Sequence, residues 1–233
     1  MSSRLLVLGA TGNTGGHIID LALARGHKVT AFVRSPHKIV RRHDALTVIE
    51  GDVLSPDQLA QALRGHDAVV SAIGPKARDA FRPSTLLADC ATSTVAAMKQ
   101  AGVRRLAIVS AAVLFPEKGL SFRLFRWLLR HHARDLLAME AVVAASGLEW
   151  TIARPPRLVR SQAEGYVSAR GVFPNGGSVM SFRAVAAFLL DSVDQGTFAR
   201  EIIGLARPAR SLRRGAVPAA PPALGDRRVE RKA

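Results

Sequence analysis

The stretch Arg4-Leu5-Leu6-Val7-Leu8-Gly9-Ala10-Thr11-Gly12-Asn13-Thr14-Gly15-Gly16 decides the fold. An aliphatic run without polar alternation predicts a strand covered on both faces. The glycines predict a tight turn, and a helical pattern takes over near Gly15–Arg25. In that order a glycine motif carries chemistry. One glycine permits the turn at the strand end, a second lets backbone approach a pyrophosphate, and a third lets the helix pack on the strand. The helix start then offers free N–H groups and a positive dipole end to an anion. Thr11, Asn13 and Thr14 add side-chain donors. The spacing of Gly9, Gly12 and Gly15 is G-x-x-G-x-x-G, one residue wider at the front than the common dinucleotide fingerprint.

Working outward, the same alternation of strand and helix recurs. Strands are predicted at Arg4–Leu8, Lys28–Val33, Leu46–Glu50, Ala68–Ile73, Arg105–Ser110 and Glu149–Arg154. Helices are predicted near Gly15–Arg25, Pro56–Leu63, Thr85–Ala101 and Arg134–Ser146. Gly26, Gly102 and Gly147 punctuate helix ends, and Pro56 opens a helix at its first turn. Strand–helix–strand repetition implies right-handed crossovers and a doubly wound, mostly parallel α/β sheet. Residues 165–206 are less regular: a Pro174-Asn175-Gly176-Gly177 turn, a helix capped by Ser181 and a late strand at Phe198–Leu205. They are predicted to pack at the carboxyl edge of the sheet and wall one side of a site.

With 233 residues, 48% of them apolar, the chain suits one domain over residues 1–206. Cys90 is the only cysteine, which excludes an internal disulfide and a cysteine zinc cage and fits a reducing compartment. No apolar run approaches the roughly 20 residues of a membrane span. The start Met1-Ser2-Ser3-Arg4 reaches the glycine loop too soon for a signal peptide, so a cytoplasmic protein is expected. The formal net charge of +15 is uneven. From Arg207 to Ala233 eight Lys/Arg face two Asp/Glu, and residues 1–206 carry +9. This Pro/Ala/Arg-rich tail reads as disordered, either an electrostatic tether or, by preference, a terminus without a role.

The remaining strand ends supply candidate ligand contacts, because doubly wound sheets bind at the carboxyl ends of their strands. The second strand ends in Phe32-Val33-Arg34-Ser35. A carboxylate there would accept from the ribose of NAD; Arg34 instead offers a guanidinium to the 2′-phosphate of NADP, with Ser35 and Lys38 as further donors. Asp52 and Val53 follow the third strand, where Asp52 is placed to hold an adenine amino group. Ala72, Ile73 and Gly74 follow the fourth and would pack along the nucleotide.

Taken together, G-A-T-G-N-T-G-G, V-R-S-P after the second strand, G-D-V-L-S-P-D-Q-L, Met139-Glu140 and the run Ser146–Arg157 resemble the atypical short-chain dehydrogenase/reductases. The likeness is to the NAD(P)H-binding group that contains biliverdin reductase B, a flavin reductase, and the NmrA-like proteins, and it covers residues 4–206. The resemblance implies a Rossmann-like domain that binds NADP(H), with a small substrate-site elaboration at its C-terminal end. It implies pyrophosphate held by Thr11, Gly12, Asn13 and Thr14, and the 2′-phosphate by Arg34. Ser110 and Ala111 would approach the nicotinamide ribose and the substrate, and backbone at Arg154 and Pro155 would fix the nicotinamide amide. The sequence departs from the pattern in two places. The Tyr-x-x-x-Lys pair of ordinary short-chain dehydrogenases is missing; the only tyrosine, Tyr166, stands four before Arg170, at the wrong place in the chain. The histidine that follows the paired prolines in the flavin reductase is here Arg157, which would favour anionic planar substrates.

The nicotinamide carries the hydride chemistry, and the protein supplies position and electrostatics. A flavin, quinone or tetrapyrrole-like acceptor takes its proton from water, so an NADPH-dependent reductase without the tyrosine–lysine pair is coherent. Ser110 is the polar candidate for catalysis, as a hydrogen-bond donor to the substrate; a strand-end serine satisfied by backbone is the equal rival. The basic amphipathic stretch Leu120–Arg134 reads as a lid in preference to a membrane-surface contact. Trp127 and Phe115 would then touch a planar substrate, with core packing as the competing role. His131 and His132, adjacent on a helix, cannot chelate one metal well, and no metal is expected. The alternative function is a non-catalytic, NmrA-like sensor that binds NADP(H) and signals to a protein partner. Nucleic-acid binding ranks last, for want of any recognition motif.

Overall fold

Alternate residues of β1 (Arg4–Leu8) go to opposite sides of the sheet, and both sides are covered. Leu5 and Val7 join one core and Leu6 and Leu8 the other, all at most 1% exposed. That double burial is why the run has no polar alternation. The structure is a computed structural model and describes residues 2–75, 82–116 and 129–209.

After β1 come α1 (Asn13–Ala24), β2 (Lys28–Val33), β3 (Leu46–Glu50), α2 (Pro56–Leu63), β4 (Ala68–Ser71) and α3 (Leu86–Ala101). They are followed by β5 (Arg105–Val109), α4 (Arg130–Ala144), β6 (Glu149–Arg154), β7 (Arg157–Val159) and β8 (Val167–Arg170). The described chain closes with β9 (Val179–Ser181), α5 (Phe182–Gln195) and β10 (Glu201–Ala206). Eight strands form one sheet in the order β3-β2-β1-β4-β5-β6-β10-β8, parallel throughout except for β8. The order reverses direction at β1, which puts a crevice between the ends of β1 and β4. The fold is the Rossmann-like, doubly wound one that the sequence predicts.

Helices α1 and α5 cover one face; α2, α3 and α4 cover the other. Phe188 of α5 is wholly buried in the first layer, with Tyr166 edge-on at 5.4 Å and Phe198 at 5.7 Å. Met139 and Ile152 are buried in the second. Each such side chain contributes roughly 1.5–3 kcal/mol. The start of α3 is held from outside the helix: the Leu87 and Ala88 N–H groups donate to the buried Asp135 carboxylate of α4 at 3.1 and 3.0 Å. A negative group there meets both the unpaired N–H donors and the positive end of the dipole.

The irregular C-terminal segment, expected to wall a site, completes the sheet. β10 extends the parallel sheet beside β6, and β8 closes its edge. Neither β8 nor the separate β7–β9 pair is predicted from sequence, since strands of only three or four residues leave little pattern. Ser181 caps α5 as predicted, accepting from the Ala184 N–H at 2.9 Å. The predicted strand Ala68–Ile73 stops at Ser71, where the chain turns under Gly9. Most of the expected lid, with Trp127, lies outside the described residues, as does the tail from residue 210. No described helix is long and apolar enough to cross a membrane.

Candidate functional site

Parallel pairing lines up the carboxyl ends of β1 to β6 along one edge, so every loop expected to bind ligand opens on the same side. At its centre is the glycine loop. Gly9 has φ 74°, and a Cβ there would stand 2.5 Å from the Ala72 carbonyl oxygen; a Cβ on Gly15 would stand 2.1 Å from the Gly9 carbonyl oxygen. Backbone thus touches backbone in two places, and only glycine permits it. The turn is closed by the Gly12 N–H donating to Gly9 at 2.9 Å. Gly12 precedes α1, and no side chain caps that helix. The first N–H groups of α1 therefore face outward, beside the exposed Thr11 and Asn13 and the buried Thr14. An uncapped helix start behind a cradle with no room for side chains fits the pyrophosphate of a dinucleotide.

A cavity of about 210 Å³ lies over this loop, lined by Thr11, Gly12, Asn13 and Gly16 on one side and by Lys38, Ile39 and Arg41 on the other. Arg34 and Lys38 are exposed, and among the described residues neither forms an ion pair. Ser35 starts the short turn that carries Lys38, accepting the Lys38 N–H at 3.1 Å. Arg41 also lines this cavity and is absent from the sequence expectations. Its guanidinium is clamped by Asp20 through two bonds of 2.5 and 3.0 Å and packs against Gly16. The Arg41-Arg42 pair lies between strands, without periodicity to single it out.

Asp52 is exposed, and its carboxylate accepts from the Leu54 N–H at 3.1 Å, which shapes the turn after β3. Burial pushes the Cys90 thiol up, and Arg34 and Asp52 act on it with opposite signs, the guanidinium lowering its pKa and the carboxylate raising it. Val53 and Ile73 are half-buried against the core beneath α2, α3 and α4, Ala72 against the opposite core, and Gly74 is exposed.

The ends of β5 and β6 carry a buried ionic network. The Ser110 hydroxyl donates to Glu140 Oε1 at 2.5 Å. Arg154 donates to the same carboxylate from Nε at 2.9 Å and from Nη2 at 2.5 Å, and its guanidinium lies 4.8 Å from the Phe115 ring centroid. Ser110 is 6% exposed and Glu140 5%. A buried carboxylate is tolerable only with such partners, and this one has three donors. Backbone bonds from Ser110 N–H to Ala153 and from Ala112 N–H to Pro155 tie the two strand ends together. Ala111 is half-buried between them.

Two expectations change. Ser110, expected to donate to a substrate, donates its hydroxyl hydrogen bond to Glu140 instead, because a buried carboxylate is the stronger acceptor. Phe115, expected against a planar substrate, is 3% exposed and packs between Arg154 and Phe173. Arg157 is exposed at the start of β7. Tyr166 and Arg170 do not meet as a dyad: the Tyr166 hydroxyl donates to Asp191 at 2.6 Å, and Arg170 pairs with Glu201. Burial and that carboxylate push the phenol far up from its ordinary value. Among the described residues no three His, Cys, Asp or Glu side chains gather as metal ligands.

Glu140 and His17 were missed as well. Glu140 had a signal: a charge on the inward face of α4 among Leu136, Met139 and Val143 requires a buried partner. His17, one turn into α1, lines the loop cavity and has its Nδ1 buried without a partner. Burial, then the charge of Arg183, lowers its pKa, and Asp20 opposes them.

A family of NAD(P)H-binding domains matches residues 9–196. An oxidoreductase of Emericella nidulans, stcQ, is 30% identical over 213 residues, covering 81% of this chain and 76% of that one. The photosystem II assembly factor Ycf39 of Synechocystis is 30% identical over 108 residues, 46% of this chain; the match spans only 33% of that longer protein. A Rossmann-fold NAD(P)-binding protein of Shigella flexneri superposes with a TM-score of 0.67 at 30% identity, covering 94% of this chain and all of that one. The same fold occurs in a short-chain dehydrogenase/reductase of Veillonella parvula in complex with NADP (TM-score 0.72, 22% identity, 89% and 96% covered). It occurs too in a candidate NADH-flavin reductase of Streptococcus pneumoniae (TM-score 0.67, 23% identity, 89% and 100% covered).

Proposed function

Given that the chain belongs to the NAD(P)H-binding family, we propose that it is an NADPH-dependent reductase of flat conjugated acceptors such as flavins or quinones. The observation that carries this reading is the pairing of an open, uncapped α1 start with a rim of unpaired cations. Arg34 and Lys38 stand where a carboxylate would select NAD, and a guanidinium there favours a 2′-phosphate.

The bound dinucleotide supplies the hydride. The chain's residues hold and orient. The α1 N–H groups, Thr11 and Asn13 take the pyrophosphate, and Arg34 with Lys38 the 2′-phosphate. Asp52 and Val53 flank adenine, and Ala72, Ile73 and Gly74 line the path between. At the other end the Glu140–Arg154 pair fixes the turn at Pro155, and Ser110 and Ala111 beside it face the nicotinamide ribose. With its hydroxyl hydrogen bonded to Glu140, Ser110 accepts from a ligand rather than donates to it. Acceptors that draw their proton from water suit such a site, and ketones, which need a donor at the oxygen, do not.

The test is titration with NADPH and NADH, wild type beside Arg34→Glu, followed by NADPH oxidation with riboflavin and a benzoquinone. The expected result is tighter NADPH binding, a preference reversed by the substitution, and turnover with at least one acceptor. NADPH bound but never consumed would sink the reductase reading and leave a redox-sensing regulator. Failure of either nucleotide to bind would remove both.

A further inference from the structure

Beside the phosphate loop, the starts of α1 and α5 leave a second cavity, of about 400 Å³, lined by Asn13, His17, Arg160, Ser161, Gln162 and Phe182. It shares Asn13 and His17 with the loop cavity, so the two are neighbours. Its outer wall is tied down at both ends. Val159 pairs with Ser181 in the β7–β9 ribbon, and the Ser181 hydroxyl donates to the Ala163 carbonyl while accepting from Ala184. Residues 160–162 are thereby strung between two anchors on the start of α5.

The charges here are unequal. Arg183 is committed to Glu164 and Arg41 to Asp20. Arg160 is exposed, and among the described residues its guanidinium has no ion pair or hydrogen bond. The His17 Nδ1 is buried without a partner. Asn13, Ser161 and Gln162 add neutral donors, and no carboxylate lines the cavity. A free guanidinium among several donors selects an anion with several acceptor oxygens.

The geometry points to a second anion site in this cavity, taking a phosphate ester next to the dinucleotide loop, with Arg160 as its charged anchor. It rests on the reductase reading for its neighbour. The ester has two sources, the phosphate tail of an acceptor such as flavin mononucleotide or the dinucleotide's own pyrophosphate reaching past Asn13, which both cavities share.

Arg160→Ala separates them. The variant removes an exposed side chain, and a thermal melt matching wild type shows that it folds. If the acceptor's phosphate is held, the Michaelis constant for flavin mononucleotide rises about tenfold more than that for riboflavin. If the dinucleotide is held, the dissociation constant of NADPH rises about tenfold and the two flavins shift together. Calorimetric titration with inorganic pyrophosphate needs no turnover, and the part of its binding that is lost in Arg160→Ala belongs to this cavity rather than to the α1 start. Flavins reduced as before, with NADPH and pyrophosphate affinities unmoved, overturn the site and leave the reductase standing. Weakened NADPH or pyrophosphate binding in a protein that reduces nothing supports the site and removes the reductase.

Discussion

Replacing Glu140 by Gln should be the most damaging single-atom change in the described structure. The substitution keeps the shape of the side chain and removes its charge, leaving Arg154 with a guanidinium that is 12% exposed and without a counter-ion. Two charge-assisted bonds from Arg154, at 2.9 and 2.5 Å, weaken, and the Ser110 proton loses its carboxylate. Breaking a buried pair by removing one partner costs about 3–5 kcal/mol. For a chain of this length about 2–4 °C of melting temperature accompanies each kcal/mol, so a fall on the order of 10 °C is expected. Circular-dichroism melts and urea titrations of wild type, Glu140→Gln, Arg154→Met and the double variant form a cycle. The double variant, having neither charge of this pair, should recover much of the loss. A Glu140→Gln protein within about 1 kcal/mol of wild type, the range of surface pairs, would refute the view that this pair holds the ends of β5 and β6.

Other consequences are checkable in the same preparations. Gly15→Ala places a Cβ 2.1 Å from the Gly9 carbonyl oxygen, so it should destabilise by about 1–3 kcal/mol and lose most of its dinucleotide affinity in fluorescence titration. His17, its pKa lowered chiefly by burial, is neutral in the free protein near neutrality, and anionic phosphates beside it raise that pKa; binding therefore takes up a proton. The ratio of wild-type to His17→Gln affinity for NADPH should grow as pH falls below 6.5, and a flat ratio counts against the contact. Burial also lowers His66 and His132, so unfolding binds protons that the fold excludes. The stability they support is present above pH 6.5 and declines as pH drops below it, measurable by urea titration. The Cys90 thiol is pushed up to about 11, mainly by burial. Thiol reagents at pH 8 should label it on the order of a hundredfold more slowly in the native than in the unfolded protein, by absorbance.

The strands β1, β2, β3 and β6 and helix α2 have the bounds predicted from sequence, because double burial writes continuous apolar runs and glycine and proline mark the ends. The glycine loop was legible for a related reason: backbone contacts at Gly9 and Gly15 forbid any other residue, so geometry leaves a mark on composition. Side-chain partnerships leave no such mark. Glu140 and Arg154 are 14 residues apart on a helix and a strand, and their meeting depends on how α4 lies across the sheet. Ser110 stands out in the sequence as a polar strand end, but the direction of its hydroxyl hydrogen is set by Glu140. Phe115 reads identically as a substrate contact or a core residue until its neighbours Arg154 and Phe173 are in place.

Helix α4 carries two carboxylates, five positions apart, that serve different clients. Asp135 holds the start of α3, and Glu140 pins the β6 turn. The helix is therefore a two-point fastener whose spacing is part of its specification. Inserting or deleting one residue between the two would rotate one carboxylate by about 100° away from its client while the other stayed in place. A designer grafting this helix into another sheet must carry both clients along. A lineage that drifts in this region can exchange the apolar residues more freely than it can change the interval between the two acids.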